Sequence, residues 1–345
     1  MTVDAERSRP RPVMMDVARL AGVSQKTVSR VINDAPNVRD DVRRRVTEAI
    51  EQLGYRPNAA ARALVTQRTR VLGIVTPGTA LYGPSAQLVG VERAAWEAGY
   101  SVVIASTVDP SAKELERAVR QLLDHGVDGL VLASPVVSPS TAGLHLSLNG
   151  VPAVCLDPFD DGACPAIMPD QRTGSRAVVE HLLGLGHETV WHVAGPTAWY
   201  SAAERLAAWR EALVEAGAPV NEPLAGDWSP HSGYEAGLLL ADRPDVTAVF
   251  AANDHMAMGV MRAFFERGRS IPEDVSVVGF DDVPEAEYLL VPLSTVRQDF
   301  GEIARQALST LLAALEGGEA TPGVTSVPVE LVPRASSGPA PTNAR

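Results

Sequence analysis

Four polar side chains near the start of the chain share one helical face. Wound at about 100° per residue, Gln25, Lys26, Ser29 and Arg30 fall within an arc of roughly 140°. Val28, Val31 and Ile32 take the opposite side. An amide, an ammonium, a hydroxyl and a guanidinium on one face are the groups that read base edges and hold backbone phosphates in duplex DNA. Ser24 stands just before this stretch as an N-cap, its hydroxyl able to accept a free backbone N–H.

A second set of polar residues recurs at the ends of apolar runs. Asp157 follows Val154-Cys155-Leu156, Asn253 follows Val249 to Ala252, and Asp281 follows Val277 to Phe280. Arg205 opens a helical stretch after the Gly195-Pro196 loop, and Gln298 lies just past a predicted chain crossover. Carboxylates, amides and a guanidinium pair well with vicinal hydroxyls. Trp228 offers an aromatic face for a sugar ring; as a sequence feature it reads equally well as a core tryptophan. Each strand-end residue alone also reads as a turn cap or a surface charge.

The elements that must position these groups follow from spacing. Val17, Leu20 and Ala21 are placed i, i+3, i+4 on a first helix that Gly22 ends. A third helix is expected from Val42, Val46, Ala49, Ile50 and Leu53, with Asp40 and Asp41 in its first turn, where they suit the helix dipole, and Gly54 as its stop. Residues 1–70 hold 14 Lys and Arg against 8 Asp and Glu, a net of +6, while the whole chain is −12, leaving −18 on the rest. A basic block on an acidic body is the electrostatic footprint of a nucleic-acid module.

After Arg70 short apolar runs alternate with helical stretches. Strands are expected at 71–75, 101–105, 129–133, 153–156, 189–194, 248–252 and 275–280. Helices are expected between most of them, among them 87–98, 113–125, 174–185, 201–216 and 255–266. This alternation predicts parallel α/β architecture. Its length exceeds one usual domain, which predicts two lobes with a cleft at the carboxyl ends of the strands. No glycine-rich dinucleotide fingerprint, Walker A run or serine-nucleophile elbow occurs, so an enzyme is not expected. The two cysteines, Cys155 and Cys164, cannot make a zinc site, and Cys155 in its apolar run reads as a buried thiol. No cofactor or metal is implied. No apolar run is long enough for a membrane span, and the first residues lack a secretory signal, which predicts a cytoplasmic protein.

Asp16-Val17-Ala18 through Ser29-Arg30-Val31-Ile32-Asn33 resembles the headpiece of the LacI/GalR family of bacterial transcription regulators. Leu53-Gly54-Tyr55-Arg56-Pro57-Asn58 through Leu64 continues the match. Later segments do so as well, including Ala252-Asn253-Asp254-His255, Ser276 to Asp282 and Pro292 to Phe300. The resemblance implies an all-α helix-turn-helix headpiece plus an α/β periplasmic-binding-protein-like effector domain of two lobes, with chain crossings near Pro165, Thr295 and Thr325. It places a disordered arm at 1–12, the DNA-binding headpiece at 13–57, and a hinge helix and linker at 58–69. The two-lobed effector and dimerisation domain follows at 70–333, and composition then predicts a Pro/Ser/Ala-rich disordered tail at 334–345. Ser24, Gln25, Lys26, Thr27, Ser29, Arg30, Asn33, Asn58, Ala61 and Leu64 become DNA-contacting positions. Leu64 is then a minor-groove wedge, where without the family it reads as a linker leucine. Leu81, Pro84, Asp157, Arg205, Trp228, Asn253, Asp281, Gln298 and Phe300 become effector contacts. These segments resemble the family's sugar-binding members more than its purine-binding ones. Pro77 and Pro169 depart from the pattern and are expected to alter the pocket wall. The implied molecule is a homodimeric repressor on a near-palindromic operator in double-stranded DNA, released by a sugar effector, with a galactoside one candidate. A co-repressor type with a purine-like ligand, and a solute-binding protein without DNA function, are the alternatives. No leucine heptad follows the effector domain, so a dimer rather than a tetramer is expected.

Overall fold

The computed structural model describes residues 12–32, 35–56, 63, 66, 68–109, 111–133, 148, 150–159, 164–318 and 323–342. The chain divides into two compact units, Met1–Thr69 and Arg70–Arg345.

The first unit contains α1 (Met14–Ala21), α2 (Gln25–Ile32) and α3 (Asp40–Leu53). Gly22 leaves α1 at φ 65° and Gly54 leaves α3 at φ 60°, the left-handed exits that glycine adopts without strain. Val17, Ala18, Ala21, Val28, Val31, Val46, Ala49 and Tyr55 form the small core. Leu20, expected to face it, is exposed; Ala18, on the other flank of Val17, is buried in its place. Ser24 caps α2, its Oγ accepting the Thr27 N–H at 3.2 Å. Val13 and Arg39 provide no side-chain cap. At α1 the Asp16 carboxylate compensates in part by accepting the Val13 N–H at 3.0 Å.

The second unit has two lobes. In the first, β1 (Val71–Pro77), β2 (Ser101–Thr107), β3 (Gly129–Leu132), β4 (Ala153–Cys155), β5 (Ala166–Pro169) and β11 (Val324–Val327) form a parallel sheet in the order β11-β5-β4-β3-β1-β2. Its helices are α4 (Tyr82–Glu97), α5 (Ala112–Asp124) and α10 (Phe300–Leu315). In the second lobe β6 (Trp191–Ala194), β7 (Leu224–Ala225), β8 (Ala248–Ala251) and β9 (Ser276–Val278) are parallel in the order β7-β6-β8-β9. Bridges Val278–Ser294 and Asp281–Arg297 bring β10 (Thr295–Gln298) alongside, and β10 pairs antiparallel with β12 (Val329–Val332). The helices here are α6 (Gln171–Gly184), α7 (Tyr200–Glu215), α8 (Pro230–Ala241) and α9 (Asp254–Glu266). The chain passes between lobes after β5, after β10 and after β11, each a few residues beyond the expected crossing. Among the described residues no helix is long and apolar enough to cross a membrane.

Two expectations need correction. Cys155 is not a free thiol: it forms a disulfide with Cys164, with Cα atoms 6.2 Å apart. The chain leaves β4 and returns to start its neighbour β5, and that return sets Cys164 beside Cys155. The tail is not disordered from residue 334. Residues 334–340 are strapped to the second lobe. Arg334 donates to Asp282 at 2.6 Å. Ser336 is fully buried; its Oγ accepts the Ser294 N–H at 2.8 Å and donates to the Val277 carbonyl at 2.6 Å. Gly338 exchanges bonds with Ser276, and the Ala340 N–H reaches the Leu185 carbonyl. Composition missed this because the strap is held by backbone and hydroxyl groups rather than by apolar side chains.

Removing the Ser336 hydroxyl strands one buried N–H and one carbonyl, a loss of about 1–3 kcal/mol. Ser336→Ala should therefore lower the thermal midpoint of the effector domain by several degrees in calorimetry. An unchanged midpoint would show that the strap contributes nothing.

Candidate functional site

The first unit presents one polar face. Val28 and Val31 of α2 are buried, whereas Gln25, Lys26 and Arg30 are exposed and Thr27 and Ser29 half-exposed. The Ser24 and Thr27 hydroxyls bond to each other at 2.9 Å at the start of this face. Ser24 and these helix residues form one exposed to half-exposed edge among the described residues. Asn33, Asn58, Ala61 and Leu64 lie outside the described residues.

In the second unit all nine expected effector contacts line one cleft: Leu81, Pro84, Asp157, Arg205, Trp228, Asn253, Asp281, Gln298 and Phe300. They meet because parallel strands deliver their following residues to a common edge. At the centre lies Arg205 on α7, buried to 4% exposure. Its Nε donates to Gln171 Oε1 at 2.8 Å, and an Nη donates to the Ala252 carbonyl. Its other Nη lies 3.5 Å from Asp281 Oδ1, and the guanidinium sits 3.7 Å over the Phe280 ring. Gln171 Nε2 in turn donates to Gln298 Oε1 at 3.5 Å, and Gln298 Nε2 to Asp281 Oδ1 at 2.6 Å. The four side chains close a ring. Gln171 begins α6 just after the first lobe crossing, and Gln298 ends β10 just before the second.

Burial disfavours charge throughout this ring. It pushes the Asp281 carboxyl up to about 6 against the pull of Arg205 and Gln298, and it pulls the Arg205 guanidinium down. Asp157 is raised to about 6 by the same burial, opposed only by the Arg205 charge. Its carboxylate makes no hydrogen bond to any described residue, although it is 9% exposed. Beneath the ring, Asp254 is raised to about 7 by burial and then by the nearby Asp281, while the Thr295 hydroxyl and Val283 N–H oppose the shift.

Trp228 forms an aromatic wall in an unusual backbone state. Its φ is 74°, in a turn where the Asp227 carboxylate accepts the Ser229 N–H at 2.9 Å. The indole lies flat on Gly195, where any Cβ would collide with the ring. Its buried Nε1 has no partner among the described residues. Asn253 lines the cleft but is also a structural cap. Its Oδ1 accepts the Met256 N–H at 2.8 Å, and its Nδ2 donates to the Trp228 carbonyl at 3.1 Å.

Tyr82, Gln87, Gln171, Trp199 and Ser201 also line the cleft and were missing from the sequence-derived set. Gln171 follows β5, a four-residue strand without a strong pattern. Trp199 had a visible signal, an aromatic pair with Tyr200 in a loop of small residues. Pro169 lines the wall as expected, but Pro77 does not: it ends β1 outside the lining.

A model described as bacterial regulatory proteins of the lacI family matches residues 13–58, and one described as a periplasmic binding protein-like domain matches 179–337. The lactose operon repressor of Escherichia coli K12 is 35% identical over 326 residues, covering 94% of this chain and 90% of that protein. The chain belongs to the LacI family. Another member similar to it is the regulator CelR of Thermobifida fusca, 36% identical over 341 residues, covering 94% of this chain and 96% of that one. The structure of the lac repressor dimer bound to operator and the anti-inducer ONPF superposes with a TM-score of 0.86 at 34% identity, covering 95% of this chain and 99% of that chain. The CelR–cellobiose complex superposes at 0.70 and 33% identity, covering 94% and 100%. These family relatives are DNA-binding regulators.

The Asp157 pKa has a definite sign for stability. Its folded value, about 6, lies above the unfolded value near 3.9. The folded state therefore holds the proton more tightly, and the stability this gives is lost as pH rises through about 6. Asp157→Asn should stabilise the effector domain at pH 8, by up to about 3 kcal/mol, and the gain should vanish below about pH 4. Denaturant melts at both pH values check this; a destabilised Asp157→Asn at pH 8 would overturn the assignment.

Proposed function

We propose that this LacI-family member is a homodimeric repressor of carbohydrate-utilisation genes that a sugar releases from its operator. It works in the cytoplasm and catalyses no reaction. The observation that carries the reading is Asp157, a nearly buried carboxylate with no hydrogen-bond partner among the described residues, beside a ring of donors and acceptors that suits vicinal hydroxyls. Gln25, Lys26, Ser29 and Arg30 enter the major groove, with Ser24, Thr27 and Asn33 at its edge. Asn58, Ala61 and Leu64 act in the minor groove at the operator centre. A dimer implies a near-palindromic site. The similar lac repressor was solved as a dimer on operator, and CelR with cellobiose, which supports both halves of the reading.

A sugar bonded to Asp281, Gln298 and Arg205 would act on groups at two lobe crossings. It can shift the DNA-bound state only by its differential affinity for the two arrangements.

Genomic-fragment selection followed by mobility shifts tests this. The chain should retain a near-palindromic fragment, and a sugar should release it. Arg30→Ala should weaken that binding at least about tenfold, from the loss of one base or phosphate contact, while sugar-induced thermal stabilisation persists. Full DNA affinity in Arg30→Ala, or a sugar that strengthens the complex, would defeat the proposal.

A further inference from the structure

The residues lining the cleft divide by burial into two zones. Asp157, Gln171, Arg205, Asn253, Asp281 and Gln298 are all buried, and they share the inner zone with Trp228 and Phe300. Tyr82, Gln87, Trp199 and Ser201 are all half-exposed, with Leu81 and Pro84 beside them. The inner zone is therefore dense in hydrogen-bonding groups, and the outer zone is largely aromatic and apolar, with the Gln87 amide and the Ser201 and Tyr82 hydroxyls.

The aromatic rings connect the zones. Outer Trp199 stands edge-on to inner Trp228, ring centres 5.7 Å apart and planes at 68°. Outer Tyr82 stands edge-on to inner Phe300, at 6.0 Å and 74°. The first pair packs on the second lobe's core; in the second, Phe300 belongs to the first lobe's core and Tyr82, on α4 of the first lobe, packs against both. Each wall of the cleft thus continues from a buried aromatic to a half-exposed one. A ligand of one sugar ring would satisfy the inner groups and leave Trp199 and Tyr82 facing water. A polar inner site with an aromatic outer collar fits a ligand whose first ring is rich in hydroxyls and whose second ring offers a flat apolar face.

We propose that the effector is a two-ring carbohydrate, its inner pyranose held by Asp157, Arg205, Asp281 and Gln298. Its second pyranose lies in the collar of Trp199 and Tyr82, with Gln87 meeting an outer hydroxyl. The inference rests on the sugar-responsive reading above and goes further by assigning ligand length, with Trp199 as the residue that sets it. Trp199 suits that role because it precedes α7 without capping it through its side chain. Its indole packs edge-on against Trp228 and against the second lobe's core, and its half-exposed remainder lines the outer cleft.

Calorimetric titration of the full-length protein tests the assignment. The probes are methyl α- and β-glucosides and galactosides, set against maltose, cellobiose, lactose and melibiose. At least one disaccharide should bind about tenfold tighter than the methyl glycoside of its inner sugar, in line with one aromatic contact of up to about 1.5 kcal/mol. Trp199→Ala should cut that ratio to near one, and Trp199→Phe, which keeps an aromatic ring and the fold, should restore part of it. Equal affinities for one-ring and two-ring probes in the wild type would overturn the length assignment while leaving the sugar reading intact. So would a ratio unchanged in Trp199→Ala and Trp199→Phe. If the folded wild type binds none of the eight probes, the sugar reading fails, and the length assignment with it.

Discussion

A guanidinium buried away from water must find acceptors, and Arg205 finds them on three separate segments. Gln171, the Ala252 carbonyl and Asp281 each take part of its hydrogen-bonding capacity, with Phe280 beneath the plane. A desolvated charge is tolerated only with such a set. The constraint reaches outward. Asp281 must leave β9 at φ 119° to present its carboxylate, and Gln298 must end β10 within reach of it. The site and the hinge regions therefore draw on the same few bonds. A ligand that competes for them acts on the lobe crossings without any relay through the cores.

The two units meet opposite electrostatic demands. The first carries net positive charge and keeps its cations on an exposed helix edge, where they attract phosphate over long range. The second is acidic and hides its functional charges in a low-dielectric cleft, where each hydrogen bond counts more. Surface ion pairs such as Arg176–Glu215, which joins α6 to α7, and Arg262–Glu266, within α9, contribute little by comparison.

Much of this was legible before the coordinates. Strand-end logic pointed to Asp157, Asn253 and Asp281 because buried parallel strands such as Ala248–Ala251 write themselves as short apolar runs, whereas Leu81, Pro84 and Phe300 were legible only through the family resemblance. Where that signal weakens, the reading stops. Strands Ala166–Pro169, Leu224–Ala225, Thr295–Gln298, Val324–Val327 and Val329–Val332 were not expected. They are two to four residues long, and Val324–Val327 is an exposed edge. Losing Ala166–Pro169 also lost Gln171, which closes the ring. The strap was misjudged for a related reason: Ser336 is buried by its bonds, which composition does not record. Leu20 shows that i, i+3, i+4 spacing fixes a face only to within about one residue on a two-turn helix.

The three crossings also set an order in time. The first lobe's sheet takes β11 from residues 324–327, and the second lobe takes β12 and then the strap through Ala340. Neither lobe is finished until nearly the whole chain has left the ribosome, whereas the headpiece core is complete by Tyr55. Domains fold as they emerge, from the N-terminus onward. Every newborn copy thus owns its DNA-reading surface while some 280 residues of its control apparatus are still being synthesised.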